Sequence, residues 1–112
     1  MKQKVLVIGP SEYKSGFSLV GVDYITPQEP TEIRKIIKKL YEEKTYGLVI
    51  IEDDYEKLFD HRTKLIVYES TNPLFFLLSF DPKHKVSVEE QVSEIIRMSL
   101  GVQIKIKQHE SG

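Results

Sequence analysis

The chain contains no cysteine, which excludes disulfides, thiolate catalysis and cysteine metal sites and fits a reducing compartment. Long hydrophobic runs are also missing. Leu74-Phe75-Phe76-Leu77-Leu78, with Phe80 beyond Ser79, falls far short of the roughly 20 residues that a membrane span needs. Net charge is almost absent, at −1 with acids and bases interspersed, so nothing electrostatic points to nucleic acid or an anionic membrane surface. Met1-Lys2-Gln3-Lys4-Val5 leads directly into a strand-like segment, without the apolar stretch and small-residue cleavage site of a signal peptide. The expectation is a soluble, cytoplasmic protein with no direct membrane insertion.

What is present suits one small globular unit: 112 residues, 40% hydrophobic and 29% charged. Val5-Leu6-Val7-Ile8, ended by Gly9-Pro10, and Leu48-Val49-Ile50-Ile51, after Tyr46-Gly47, have no polar face. Such runs read as strands covered on both sides, as in a parallel sheet. Residues 12–20 read as a short helix closed by Gly21, and residues 22–25 as a weaker strand. Ile33, Ile36, Ile37, Leu40 and Tyr41 recur on one helical face, with Lys35, Lys38, Lys39 and Glu42 opposite. Thr26-Pro27-Gln28-Glu29 and Pro30-Thr31-Glu32 offer two starts for that helix. Leu65-Ile66-Val67-Tyr68 is a fourth strand candidate. Strands alternating with helices imply right-handed crossovers, hence an α/β fold with a small doubly wound parallel sheet of about four strands, Rossmann-like or receiver-like.

Beyond residue 69 the character changes. Residues 70–86 read as a linker carrying the apolar segment 74–80, which is either an extra strand or part of an interface. Residues 87–112 read as a C-terminal appendage helix and a short tail. Ser87-Val88-Glu89-Glu90 is a capping box, and the helix stops at Gly101. Its apolar stripe is Val88, Val92, Ile95, Ile96 and Leu100, completed by Ser99. Five such side chains, at about 1.5–3 kcal/mol each when buried, represent on the order of 10 kcal/mol before ordering costs. A face of that size folds back on its own sheet or binds another apolar surface, and periodicity leaves both open.

No catalytic constellation accompanies this scaffold. The glycines nearest the first strand are Gly9, Gly16 and Gly21, which do not match the G-x-G-x-x-G dinucleotide fingerprint, and no Walker-type G-K-[ST] or G-x-S-x-G occurs. Asp53 or Asp54, at the end of an apolar strand, could act as the phospho-acceptor of a receiver-like signalling domain. That chemistry needs Mg²⁺ held by acids after the first strand, where Gly9-Pro10 stands and only Glu12 follows. Favourable placement at a helix N-terminus explains both aspartates. His61, His84 and His109 sit in charged segments without ligand spacing. No metal, cofactor or catalytic residue is expected.

Two stretches carry a family resemblance. Val7-Ile8-Gly9 followed by Gly16-Phe17-Ser18-Leu19-Val20-Gly21-Val22 resembles the V-I-G … G-F-x-L-x-G-V signature of the F-subunit family of V/A-type ATPases. Ile95-Ile96-Arg97 with Leu100-Gly101-Val102-Gln103-Ile104 is similar to that family's closing helix and tail. Pro10 departs from the acidic residue that the family pattern has after Val7-Ile8-Gly9, the segment between Ile51 and Leu65 looks short, and the aromatic run 74–80 lies outside the signature. In physical terms Gly9, Gly16, Phe17, Leu19 and Gly21 are structural: Phe17 and Val20 pack the first helix on the sheet, and Gly16 and Gly21 permit close approach at its start and a stop at its end.

The resemblance implies a non-catalytic rotor component of a V/A-type ATPase, peripheral to the membrane in the soluble sector. It implies docking through the C-terminal helix on the coiled-coil rotor shaft, the D subunit, inside the catalytic A/B ring where ATP is handled. It also implies modulation of ATPase activity and coupling to ion transport by a tail with more than one arrangement. On that implication Val88, Val92, Ile95, Ile96, Ser99 and Leu100 are the partner-binding residues.

Overall fold

Four short strands alternate with helices, and every strand pairs in parallel with its neighbours. The computed structural model describes residues 4–18, 21–81 and 86–100. The strands are β1 (Val5–Ile8), β2 (Asp23–Ile25), β3 (Leu48–Glu52) and β4 (Leu74–Leu78), in the order β2-β1-β3-β4. Register runs Val5 beside Leu48, Leu6 beside Asp23, and Leu48 beside Leu74. β1 and β3 are buried along their whole length, which is why their sequences lack an alternating polar face.

The helices divide between the two faces of this sheet. α1 (Lys14–Ser18) and α4 (Val88–Leu100) share one face, where Phe17, Val88, Val92 and Ile96 pack with Val5, Val7, Leu48, Ile50 and Phe80. α2 (Ile33–Glu43) and α3 (His61–Glu69) cover the other, where Ile33, Ile37, Leu40 and Val67 meet Leu6, Ile8, Val49 and Ile51. α2 takes the second of its two candidate starts. Pro30 opens a 3-10 turn, and Glu29 and Glu32 form a reciprocal capping box ahead of the helix. Thr26 is employed elsewhere, donating to the Gly9 carbonyl at 2.6 Å. Lys44, at φ 55°, ends α2 with its N–H on the Leu40 carbonyl.

The expected strand at 65–68 is instead the middle of α3. Asp60 caps that helix, accepting from the Thr63 N–H at 2.9 Å and the Thr63 hydroxyl at 2.6 Å. Within Leu65-Ile66-Val67-Tyr68 only Val67 is fully buried, while Leu65 and Tyr68 are exposed. One buried residue in four fits a helix and not a two-sided strand. A four-residue apolar run is ambiguous by periodicity, and the cap five residues upstream decides it. The fourth strand comes from the apolar segment 74–80, so the sheet continues into the stretch expected to act as a linker. A cis Asn72–Pro73 peptide leads into it.

Ser87 caps α4, its Oγ accepting from the Glu90 N–H at 3.1 Å, as the capping box predicts. It lies back on the sheet, against β3.

Candidate functional site

In this strand order the helices after β1 and β3 leave on opposite faces, so the switch point falls between those strands. Open α/β sheets of this kind bind ligands at the carboxyl ends of the strands at that point. Gly9 and Pro10 follow β1 there, Glu52 ends β3 with Asp53 and Asp54 after it, and Phe80 follows β4.

The glycine side of this crevice is filled by the protein itself. A Cβ at Gly9 would lie 2.5 Å from the Tyr24 hydroxyl and 2.6 Å from the Phe80 ring. The Tyr24 hydroxyl donates to the Pro10 carbonyl at 2.6 Å, and the Gly9 N–H donates to the Ile25 carbonyl at 3.2 Å. Tyr13 donates to the Phe80 carbonyl at 3.3 Å and meets the Phe80 ring edge-on at 5.1 Å. Burial, followed by the neighbouring Tyr55, Tyr13, Glu12 and Glu52, raises the Tyr24 phenol above its ordinary range and keeps it a donor. The Gly9 amide, which a phosphate-binding loop would aim at an anion, is thus engaged internally. Glycine here admits two aromatic side chains.

The acidic side is more open to chemistry. Glu52, Asp53 and Asp54 hold carboxylate oxygens within 4.8 Å of one another, a spacing able to hold a cation. Glu52 is 9% exposed, and its carboxyl is pushed up to about 7 by burial first and by the Asp54 charge second. Asp53 and Asp54 stand in the first turn of a 3-10 helix (Asp53–Leu58), with Glu52 at the cap position making no side-chain capping bond. The aspartates therefore do not cap by side chain; they enrich the first turn in negative charge, where a helix N-terminus favours it. All three ligands of this group come from one segment. His61 is exposed at the start of α3, and His84 and His109 lie outside the described residues.

The C-terminal stripe is divided. Val88, Val92 and Ile96 are 4%, 1% and 1% exposed, sunk among Phe17, Leu48 and Ile50. Ile95 packs at the margin of that cluster, Ser99 is exposed, and the Leu100 side chain lies outside the described residues. On the solvent side Arg97 pairs with Glu94, and Met98 is 75% exposed.

The motif residues at the N-terminal end prove to be neighbours of this helix. Phe17 is fully buried and stacks on Tyr24 at 5.2 Å, in the same cluster as Val92 and Ile96. Gly16 leaves room for the Glu89 side chain in the first turn of α4. Gly21 holds φ +77°, where glycine avoids the strain of a side chain, and Leu19 lies outside the described residues. Sequence reasoning missed Tyr24 and Phe80 as the residues that close the crevice. Neither carries a local signal, because what they pack against is remote in the chain.

Comparison with known proteins adds to this geometry. The model of the family "ATP synthase (F/14-kDa) subunit" matches residues 5–98. The A-type ATP synthase F subunit of Thermoplasma acidophilum is 26% identical over 104 residues, covering 93% of this chain and 97% of the relative. That of Methanococcoides burtonii is 32% identical over 56 residues, covering 49% of this chain and 57% of the relative. Among the described residues no helix is long and apolar enough to cross a membrane.

Proposed function

Because the chain belongs to the family of the ATP synthase (F/14-kDa) subunit, we propose that it is a non-catalytic central-shaft component of a V/A-type rotary ATPase. It docks on the coiled-coil D subunit, turns within the catalytic A/B ring, and helps couple ATP hydrolysis or synthesis to ion transport. Residues 87–112 are the docking unit, with Val88, Val92, Ile95, Ile96, Ser99 and Leu100 as its contact residues.

One observation carries this reading: α4 is a capped helix whose apolar stripe is seated on α1 and β3, yet whose flank, at Ile95 and Ser99, remains reachable. Docking by that stripe is an exchange of seats. The three deeply buried residues represent about 1.5–3 kcal/mol each, so leaving the sheet for water is strongly disfavoured. Leaving it for another apolar groove covers the area of the stripe again. Departure would also uncover Val5, Val7, Leu48 and Ile50. The free chain therefore keeps α4 closed, and the shaft supplies the differential affinity that opens it. A tail with two such arrangements is suited to modulating ATPase activity.

Titration of the full chain into purified D subunit tests the assignment. A one-to-one complex is expected, and Ile95→Asp is expected to weaken it by about tenfold or more, equivalent to about 1.4 kcal/mol, with the circular dichroism of the free chain unchanged. Parental affinity in that variant would remove Ile95 from the interface.

A further inference from the structure

Among the described residues the outer edge of β4 is unpaired, its strand neighbour being β3 alone. The Leu74 N–H donates to the Gly47 carbonyl at 3.0 Å, so Leu74, Phe76 and Leu78 turn their main-chain groups towards β3. By alternation Phe75 and Leu77 turn their N–H and C=O groups outward, away from the sheet. The strand has none of the usual edge guards, being five apolar residues without charge or proline. Leu74, Phe76 and Leu78 lie on the face that α4 shares. α4 packs against β3, and Phe76 is 42% exposed.

We propose that in the free protein a second copy of this chain covers this edge, with β4 pairing antiparallel to β4 about a two-fold axis through Phe76. The strand is complementary to itself in that register. Phe75 faces Leu77 of the other copy and Leu77 faces its Phe75, so each outward N–H and C=O on the strand finds a partner. Phe76 meets its own counterpart in the non-hydrogen-bonded position, where side chains approach most closely and aromatic pairs are favourable. A register centred on Phe75 sets Leu77 against Pro73, which has no N–H, and one centred on Leu77 overlaps only Phe76 to Leu78. An isologous two-fold contact closes on itself, so association stops at the dimer. With an axis normal to the sheet, both α4 helices lie on the same side and flank the paired Phe76 rings, which fill the trough between them. Absence of charge favours a like copy over a charged partner strand. The contact leaves the α4 seat untouched and stands apart from docking on the shaft.

Sedimentation equilibrium of the full chain over a wide concentration range tests this. The expected mass rises from 13.0 kDa towards twice that value. Phe76→Lys and Phe76→Glu, each altering a half-exposed side chain, are each expected to raise the dimer dissociation constant at least tenfold with unchanged circular dichroism. Mixed in equal amounts they are expected to restore the dimer, because only across a two-fold axis through residue 76 do lysine and glutamate face each other. A parent chain that stays at 13.0 kDa throughout, as it would if its own remaining residues covered the edge, overturns the proposal. So does a dimer that Phe76→Lys leaves intact, or a mixture that fails to reassociate.

Discussion

Gly16 in α1 lies directly beneath Glu89 in the first turn of α4, where a methyl group on residue 16 would come within 3.0 Å of the glutamate carboxyl carbon. The glycine of one short helix is thus part of the seat of another, more than seventy residues later in the chain. The Glu89 carboxylate is the far end of a flexible side chain, so the small Gly16→Ala change is absorbed by its moving aside. The bulkier Gly16→Leu has no such outlet and lifts the first turn of α4. Hydrogen exchange at the α4 amides is expected to be markedly faster in Gly16→Leu and nearly parental in Gly16→Ala.

Gly9 answers to a stricter constraint, because its neighbours are the Tyr24 hydroxyl and the Phe80 ring, both held in place by packing. Gly9→Ala is expected to cost about 1–3 kcal/mol in a denaturant titration, the usual range for overpacking a core. Adding Tyr24→Phe removes the nearer of the two clashing groups and is expected to recover part of that loss.

The buried end of β3 makes stability depend on pH. Glu52 has an ordinary value of 4.5 and is raised to about 7 in the fold, so the folded chain binds its proton more tightly than the unfolded one. Its contribution is fully present below pH 4.5 and is lost as pH rises to about 7. Discounted for solvent screening, the loss is on the order of 1–2 kcal/mol. Glu52→Gln is expected to flatten the fall between pH 5 and 7.5 and to leave the variant more stable than the parent at pH 8. Parallel thermal melts across that range check it.

Ile96→Ala tests whether α4 is closed in the free chain. A side chain 1% exposed in the core is expected to cost about 2–5 kcal/mol on truncation. A helix standing away from the sheet would show almost no cost, and chemical denaturation distinguishes the two.

Much of this architecture was legible in the sequence, for physical reasons that also explain the failures. β1 and β3 announced themselves because strands buried on both faces cannot carry polar residues. α2 and α4 did so because their stripes are long enough for the helical period to be unmistakable and each has a local cap. The run 65–68 was misread because four apolar residues fit either period, and the deciding bond, from Thr63 to Asp60, depends on geometry. The apolar segment 74–80 became β4, one of the two readings its composition allowed. The α4 stripe was legible as a stripe but not as core, since its seat is built from Phe17, Leu48 and Ile50, scattered through the chain. Closure of the crevice by Tyr24 and Phe80 was invisible for the same reason.

If the α4 stripe exchanges its seat on the sheet for one on the shaft, a reversible lock on α4 must block docking. In Gly16→Cys/Glu89→Cys the sulfur at residue 89 takes the place of a Cγ that lies 3.4 Å from the Cβ position of residue 16, close to disulfide geometry. No other cysteine competes. Affinity for the D subunit is to be measured with the variant oxidised and then reduced. The oxidised chain, with α4 tied to α1, is expected to fail to bind, and reduction is expected to restore a one-to-one complex. Equal affinity in the two states would contradict that exchange.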